Sequence, residues 1–76
     1  MPTVLRVNGY RFFFYSNDHL PKHIHVEKSG KTAKFTIFPI QLDKSKRFSA
    51  SELSEIRTLI ELNVQLLDEK WDEYFN

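Results

Sequence analysis

The first half of the chain alternates between apolar and polar residues with a period of two, which indicates β-strands. Residues 3–15, TVLRVNGYRFFFY, predict a hairpin, because Asn8-Gly9 supplies the two positive-φ residues of a type I′ turn. A two-residue loop at this position pairs Val7 with Tyr10. The second strand is aromatic on both faces, so we expect it to lie inside the sheet rather than at an edge.

Two more strands are predicted at residues 23–28 and 32–38, joined by a turn at Ser29-Gly30. Residues 41–47, QLDKSKR, show no alternation. We therefore interpret them as a polar connection with at most a short strand at its beginning. The expected sheet has four to five antiparallel strands.

After this connection, the apolar residues recur at steps of three and four, which predicts a helix. Ser49 is a good N-cap, and Glu52 three residues later completes a capping box. The stripe that would cover the sheet consists of Leu53, Ile56, Ile60, Val64, Leu67, Trp71 and Tyr74.

A second row of leucines lies beside this stripe, at Leu59, Leu62 and Leu66. A single straight helix would leave the row exposed. Either the helix breaks near Asn63 and folds back onto the core, or the row is an interface with another protein.

Strands followed by a helical segment predict one two-layer α+β domain over residues 1–76. Residues 1–47 carry nine basic and three acidic side chains, a net charge of +6, whereas residues 48–76 carry two and seven, a net charge of −5. The expected domain is thus a basic sheet beside an acidic helical segment. A basic face is typical of surfaces that contact nucleic acid, and an acidic helix argues against sequence-specific reading of DNA.

The composition excludes several classes of protein. The chain has no cysteine, so it has neither a disulfide framework nor a thiolate metal site. No segment approaches the ~18 consecutive apolar residues of a membrane span. We expect a cytoplasmic protein without membrane contact.

All three histidines fall within seven positions, at His19, His23 and His25. In a strand, His23, His25 and Glu27 project from one face, and we expect this to be the face away from the helix. Two imidazoles and a carboxylate are a reasonable ligand set for a divalent metal such as Zn²⁺.

Metal-free chemistry is the other enzymatic interpretation. Imidazole in general titrates near neutral pH, so His19, His23 and His25 could act as general acids or bases. The same sheet face would carry basic and aromatic side chains able to hold the phosphates and bases of RNA, namely Arg6, Arg11, Lys34, Phe13 and Tyr15. A purely structural alternative stays open, in which Asp18 and the histidines fix a loop against the sheet.

The segments MPTVLRVNGYRFFFYSNDHLP and HIHV, together with Ala33-Lys34, Phe48-Ser49 and the tail WDEYF, resemble a small bacterial family, the domain of unknown function DUF 4160. The likeness covers almost the whole chain. The family often has a second proline where this chain has Lys22, which we expect to make the loop less rigid. The resemblance implies no established activity. Family members often occur beside another short gene in arrangements that look like toxin–antitoxin pairs.

The function that we expect is therefore a component of a toxin–antitoxin-like module. Such a component would bind a small partner protein or form a homodimer, and it could act on RNA through its histidines and basic sheet face. We expect no cofactor under this interpretation. The alternatives are a metal-dependent enzyme that uses His23, His25 and Glu27, or a structural interaction module.

Overall fold

In the computed structural model, which describes residues 3–75, five antiparallel strands form a sheet and one long helix packs against one face of it. The strands neighbour one another in sequence order. The elements are β1 (Thr3–Val7), β2 (Tyr10–Phe13), β3 (His23–Lys28), β4 (Lys31–Thr36), β5 (Gln41–Lys46) and α1 (Ala50–Phe75). The predicted α+β fold is confirmed.

The N-terminal hairpin forms as predicted. Val7 pairs with Tyr10 in the β1–β2 ladder. Asn8 and Gly9 both have positive φ, at 53° and 82°, as a type I′ turn requires. β2 lies between β1 and β3, which explains why both of its faces can be aromatic.

The segment that we interpreted as a polar connection is instead an edge strand. Residues 41–46 form β5 and pair with β4, and all six are exposed. The pattern missed this strand because its hydrogen bonds come from the backbone of β4, while neither of its faces contributes to the core. Charged side chains on an exposed edge also discourage pairing with further strands.

The helix begins with the predicted capping box. The Ser49 amide donates to Glu52 Oε1 at 2.9 Å, and the Glu52 amide donates to Ser49 Oγ at 3.2 Å. Asn63 interrupts the helical geometry with φ −121° and ψ 15°, which produces a kink without a reversal of the chain. Its side chain donates to the Leu59 carbonyl at 2.8 Å. Among the described residues, no helix combines the length and apolar character of a membrane span.

The core lies between the helix and one face of the sheet. From the strand side and the adjoining turns it contains Tyr10, Phe12, Phe14, Ile24, Val26, Ala33, Phe35 and Ile37, and from the helix side Phe48, Ile56, Leu59, Ile60, Leu67 and Trp71. The predicted helical stripe covers the sheet, except that Tyr74 is 41% exposed, and Leu59 of the second leucine row joins the core. The opposite face of the sheet carries the polar side chains of the same strands.

The second leucine row is divided by the kink at Asn63. Leu59 is buried in the core, Leu66 is half-buried, and Leu62 is 75% exposed. Neither alternative holds for all three residues: the core takes up Leu59, and the helix does not fold back to cover Leu62. Leu62 therefore remains available for an interface.

Candidate metal centre

Three side chains converge at the end of the sheet where β3 begins. Asp18 Oδ1 lies 3.0 Å from His23 Nε2 and 3.1 Å from His25 Nε2. The three potential ligand atoms all lie within 4.8 Å of one another. The two histidines come from β3, where their i, i+2 spacing gives them a common direction, and Asp18 comes from the preceding loop.

His23 is oriented so that one ring nitrogen is left for the centre of the cluster. Its Nδ1–H donates to the Pro21 carbonyl at 2.8 Å, and because a carbonyl only accepts, the neutral ring carries its proton on Nδ1. Nε2 is buried and forms no hydrogen bond of normal geometry within residues 3–75, although Asp18 Oδ1 lies 3.0 Å away and would pair with a protonated ring. The residue is 4% exposed. A buried polar atom without a partner is costly, so this nitrogen calls for an explanation.

Asp18 is held in place by the backbone of its own loop. The Tyr15 amide donates to Asp18 Oδ2 at 2.9 Å, and the Asp18 amide donates to the Tyr15 carbonyl at 3.1 Å. This arrangement leaves Oδ1 for the histidines. Burial opposes ionisation of Asp18, but the two imidazoles and the Tyr15 amide stabilise the carboxylate, and the net result is a lowered pKa.

His25 is packed between aromatic rings. Phe13 stacks on it with a centroid separation of 5.5 Å, and Tyr15 meets it edge-on at 4.6 Å. Burial is the largest cause of a lowered pKa at His25, and Lys34 acts in the same direction, while Asp18 opposes the shift. His25 is therefore neutral at pH 7, which is the form that a metal requires.

The helix also contributes to the position of this cluster. Lys22 forms ion pairs with Asp68 and Asp72 of α1, which tie the loop to the helix. Trp71 meets the ring of His23 edge-on at 5.1 Å. The prediction that the histidines lie on the face away from the helix thus needs correction for His23. Strand parity sets the direction of a side chain, but here the end of the helix and the loop cover the first residue of the strand.

Two of the separations in the cluster are close to those between the ligands of a metal ion. Ligand atoms ~2.0–2.1 Å from a tetrahedral Zn²⁺ lie about 3.3 Å apart, close to the two separations from Asp18 Oδ1. In the structure, His25 Nε2–H donates to Asp18 Oδ1. Metal binding would replace that hydrogen bond and move the His25 proton from Nε2 to Nδ1.

Glu27, which we predicted as the third ligand, does not join the cluster. It forms an ion pair of 2.7 Å with Arg11 across the β2–β3 ladder. Asp18 occupies the place expected for Glu27. Periodicity could not identify Asp18, because it lies in a loop, and the structural alternative offered the only indication that it contacts the histidines.

His19 lies apart from the other two histidines. It is exposed and borders an open cavity of about 460 Å³ that Asp18 and His23 also line. Among the described residues, the potential metal cluster contains only Asp18, His23 and His25. His19 is placed to meet a molecule in the cavity rather than to bind a metal with the other two.

The residues predicted to contact nucleic acid differ in exposure. Arg6 and Tyr15 are exposed, but Phe13 is buried beneath Arg11, whose guanidinium lies 4.2 Å from its ring centroid. Lys34 lies 3.3 Å from Asp43. Tyr15 is thus the predicted aromatic residue that could stack on a base, whereas Phe13 is covered by other side chains of the open face.

The fold and this cluster define a small α+β domain with a candidate two-histidine, one-carboxylate metal centre. The chain belongs to the family described as Domain of unknown function (DUF4160), whose model matches residues 9–72 and so includes all three residues of the cluster. No curated protein and no solved structure matches the chain.

Proposed function

We propose that this protein binds a divalent transition metal ion, with Zn²⁺ as the first candidate, through Asp18, His23 and His25. The observation that carries the proposal is His23 Nε2, a buried nitrogen directed at the cluster without a hydrogen bond among the described residues. A metal ion would give it a partner. The hydrogen bond from His23 Nδ1 to the Pro21 carbonyl supports the proposal, because metal-binding histidines commonly donate their other N–H in this way.

The proposed ligand set would leave the metal an open coordination position. Structural zinc sites usually have four protein ligands, whereas catalytic sites have three and a water molecule. A metal held by Asp18, His23 and His25 could lower the pKa of a bound water to ~7. The cavity beside His19 is lined by Asp18 and His23 and so lies next to the proposed ligands. The chemistry suited to such a site is metal-assisted hydrolysis.

Calorimetric titration of untagged protein with Zn²⁺ tests this function. We expect one site per chain, with affinity that falls as the pH drops below ~6.5, since the imidazoles must be neutral to bind. His23→Gln and His25→Gln should each weaken binding by more than the ~10–100-fold typical of losing an outer partner of a ligand. His19→Gln is the matched control and should bind like the wild type.

A flat titration contradicts the metal site. So does equal uptake by the His23→Gln/His25→Gln double variant, provided that its circular dichroism spectrum shows it to be folded. A loss of affinity in His19→Gln equal to that in the other two variants would show that binding is nonspecific coordination by surface histidines.

As a second candidate, we propose that the chain is the partner-binding component of a cytoplasmic toxin–antitoxin-like module. The observation that favours it is Leu62, a large apolar side chain 75% exposed on an acidic helix. The absence of cysteine supports a reducing compartment. Sedimentation over a wide concentration range tests the homodimer, and co-purification with the product of the neighbouring gene tests a separate partner. A monomer that binds neither itself nor that product contradicts this candidate.

A further inference from the structure

The open face of the sheet contains one row of side chains that crosses four strands. Phe13 pairs with His25, His25 pairs with Lys34, and Lys34 pairs with Lys44. With neighbouring strands ~4.8 Å apart, the row spans about 14 Å. It begins among aromatic rings, passes through the candidate metal cluster at His25 and ends on two cations.

The cationic end of this row is not balanced by the protein itself. Lys34 and Lys44 are direct cross-strand partners, an arrangement of like charges that is destabilising on its own. Asp43 lies 3.3 Å from Lys34, but Lys44 and the nearby Lys46 form no ion pair within residues 3–75. These lysines therefore give this end of the row a net positive charge.

A shallow groove follows the row. It has a volume of about 340 Å³, and the residues that line it include Tyr15, His25, Lys34, Lys44 and Lys46. Tyr15 is 40% exposed at one end, and the lysines lie at the other. The groove thus places an aromatic ring and a set of cations on either side of a potential metal ligand.

We propose that this groove binds single-stranded nucleic acid, with a backbone phosphate at Lys34 and Lys44 and a base against Tyr15. Cations that follow the backbone and aromatic rings that stack on bases are the two elements of single-strand binding surfaces. A duplex keeps its bases stacked and could not offer one to Tyr15.

The inference deepens the proposed function and rests on it in one respect. Because His25 belongs to both the groove and the metal cluster, a phosphate at Lys34 would lie beside the bound ion. The substrate class of the metal centre would then be a phosphodiester. Binding of the strand by the lysines and Tyr15 does not itself require the metal.

Fluorescence anisotropy with labelled ten-nucleotide single strands of RNA and DNA tests the groove. We expect binding at low salt that weakens as salt rises, with a log–log slope reduced by about 0.7 for each phosphate contact removed. Lys34→Ala and Lys44→Ala should each reduce the slope, and Tyr15→Ala should weaken binding roughly 5- to 100-fold. Lys70→Ala, which removes one exposed lysine of α1, is the matched control and should leave both values unchanged.

No binding at low salt, equal losses in Lys70→Ala and Lys44→Ala, or equally tight binding of a duplex would each overturn the inference.

Binding of both single strands supports the inference, and preference for RNA adds a contact to the 2′-hydroxyl. Zn²⁺ should tighten binding by the wild type but not by His23→Gln. If single strands bind while calorimetry detects no zinc binding, the nucleic-acid groove is supported and the proposed metal function is contradicted. If zinc binds and strands do not, the groove is contradicted and the metal function stands.

Discussion

The two faces of the sheet are built by different rules. The face covered by α1 is apolar, and residues such as Phe12, Ile24 and Ile60 have no exposed surface. The open face carries ion pairs, aromatic rings and the unbalanced lysines, and Asp18 reaches the candidate metal cluster from a loop. The covered face is stabilised by the burial of apolar surface, which depends little on the orientation of each side chain. The interactions on the open face are hydrogen bonds and ion pairs, whose strength depends on the orientation of individual polar atoms.

This contrast separates stability from function within a very small domain. At ~0.05–0.15 kcal/mol per residue, 76 residues give about 4–11 kcal/mol of total stability. The covered face must supply most of it. The open face can then retain features that are unfavourable for folding, such as the Lys34–Lys44 pair and the buried nitrogen of His23.

The largest expected effect is on the covered face. Phe12→Ala should lower the free energy of unfolding by about 3–5 kcal/mol, because it removes a fully buried ring and leaves a cavity. Lys44→Ala on the open face should change it by less than ~0.5 kcal/mol. Urea denaturation followed by circular dichroism measures both. Similar losses in the two variants would contradict the division between the faces.

Tyr10 tests the polar link at the margin of the covered face. Its hydroxyl donates to Glu55 Oε1 at 2.7 Å, and burial, followed by this hydrogen bond, raises the pKa of Tyr10 to about 12, so the phenol remains a donor. Tyr10→Phe should lower the free energy of unfolding by about 1 kcal/mol. Glu55→Gln keeps an acceptor and should cost less. An unchanged urea midpoint in Tyr10→Phe would show that the hydrogen bond contributes nothing.

His25 makes the stability of the open face depend on pH. Its pKa is lowered in the folded protein, chiefly by burial, so the unfolded chain binds a proton more readily. The resulting stabilisation is complete above the unfolded pKa of ~6.5 and is lost as the pH falls from there through the folded pKa. The urea midpoint should drop between pH 7.5 and pH 5.5, and His25→Gln should reduce that drop. An equal drop in the variant would refute the assignment to His25.

Leu62 should give the smallest effect on stability. Because it is 75% exposed, Leu62→Glu should change the free energy of unfolding by less than ~0.5 kcal/mol. If Leu62 forms an interface, the variant should remain folded while its self-association or partner binding disappears, as sedimentation would show. Unfolding of the variant would place Leu62 in the core.

The periodicity of apolar residues predicts the covered face well, because apolar burial alone determines which side chains lie on that face. The hairpin turn at Asn8-Gly9, the capping box at Ser49 and the core stripe of the helix could all be predicted from the sequence. β5 could not, since an edge strand without an apolar face lacks a periodic signal. The kink at Asn63 was open as one of two alternatives, and the structure shows that it bends the helix without reversing it.

The candidate metal centre was only half predictable. Strand parity brings His23 and His25 together, but it equally favoured Glu27. The structure replaces Glu27 with Asp18 because Arg11 is the cross-strand neighbour of Glu27, and because the Tyr15 amide turns the carboxylate of Asp18 toward the histidines. Both causes are contacts between residues that are distant in sequence or lie in a loop, so the periodicity of one strand could not predict them.

The most direct test of the account is therefore the zinc affinity of Asp18→Asn compared with that of Glu27→Gln. Each variant removes one carboxylate charge near the histidines, so nonspecific electrostatics affects both. We predict that Asp18→Asn loses affinity more than ~100-fold, beyond the range for an outer partner of a ligand, while Glu27→Gln binds like the wild type. Equal affinities in the two variants, or a loss confined to Glu27→Gln, would contradict a centre formed by Asp18, His23 and His25.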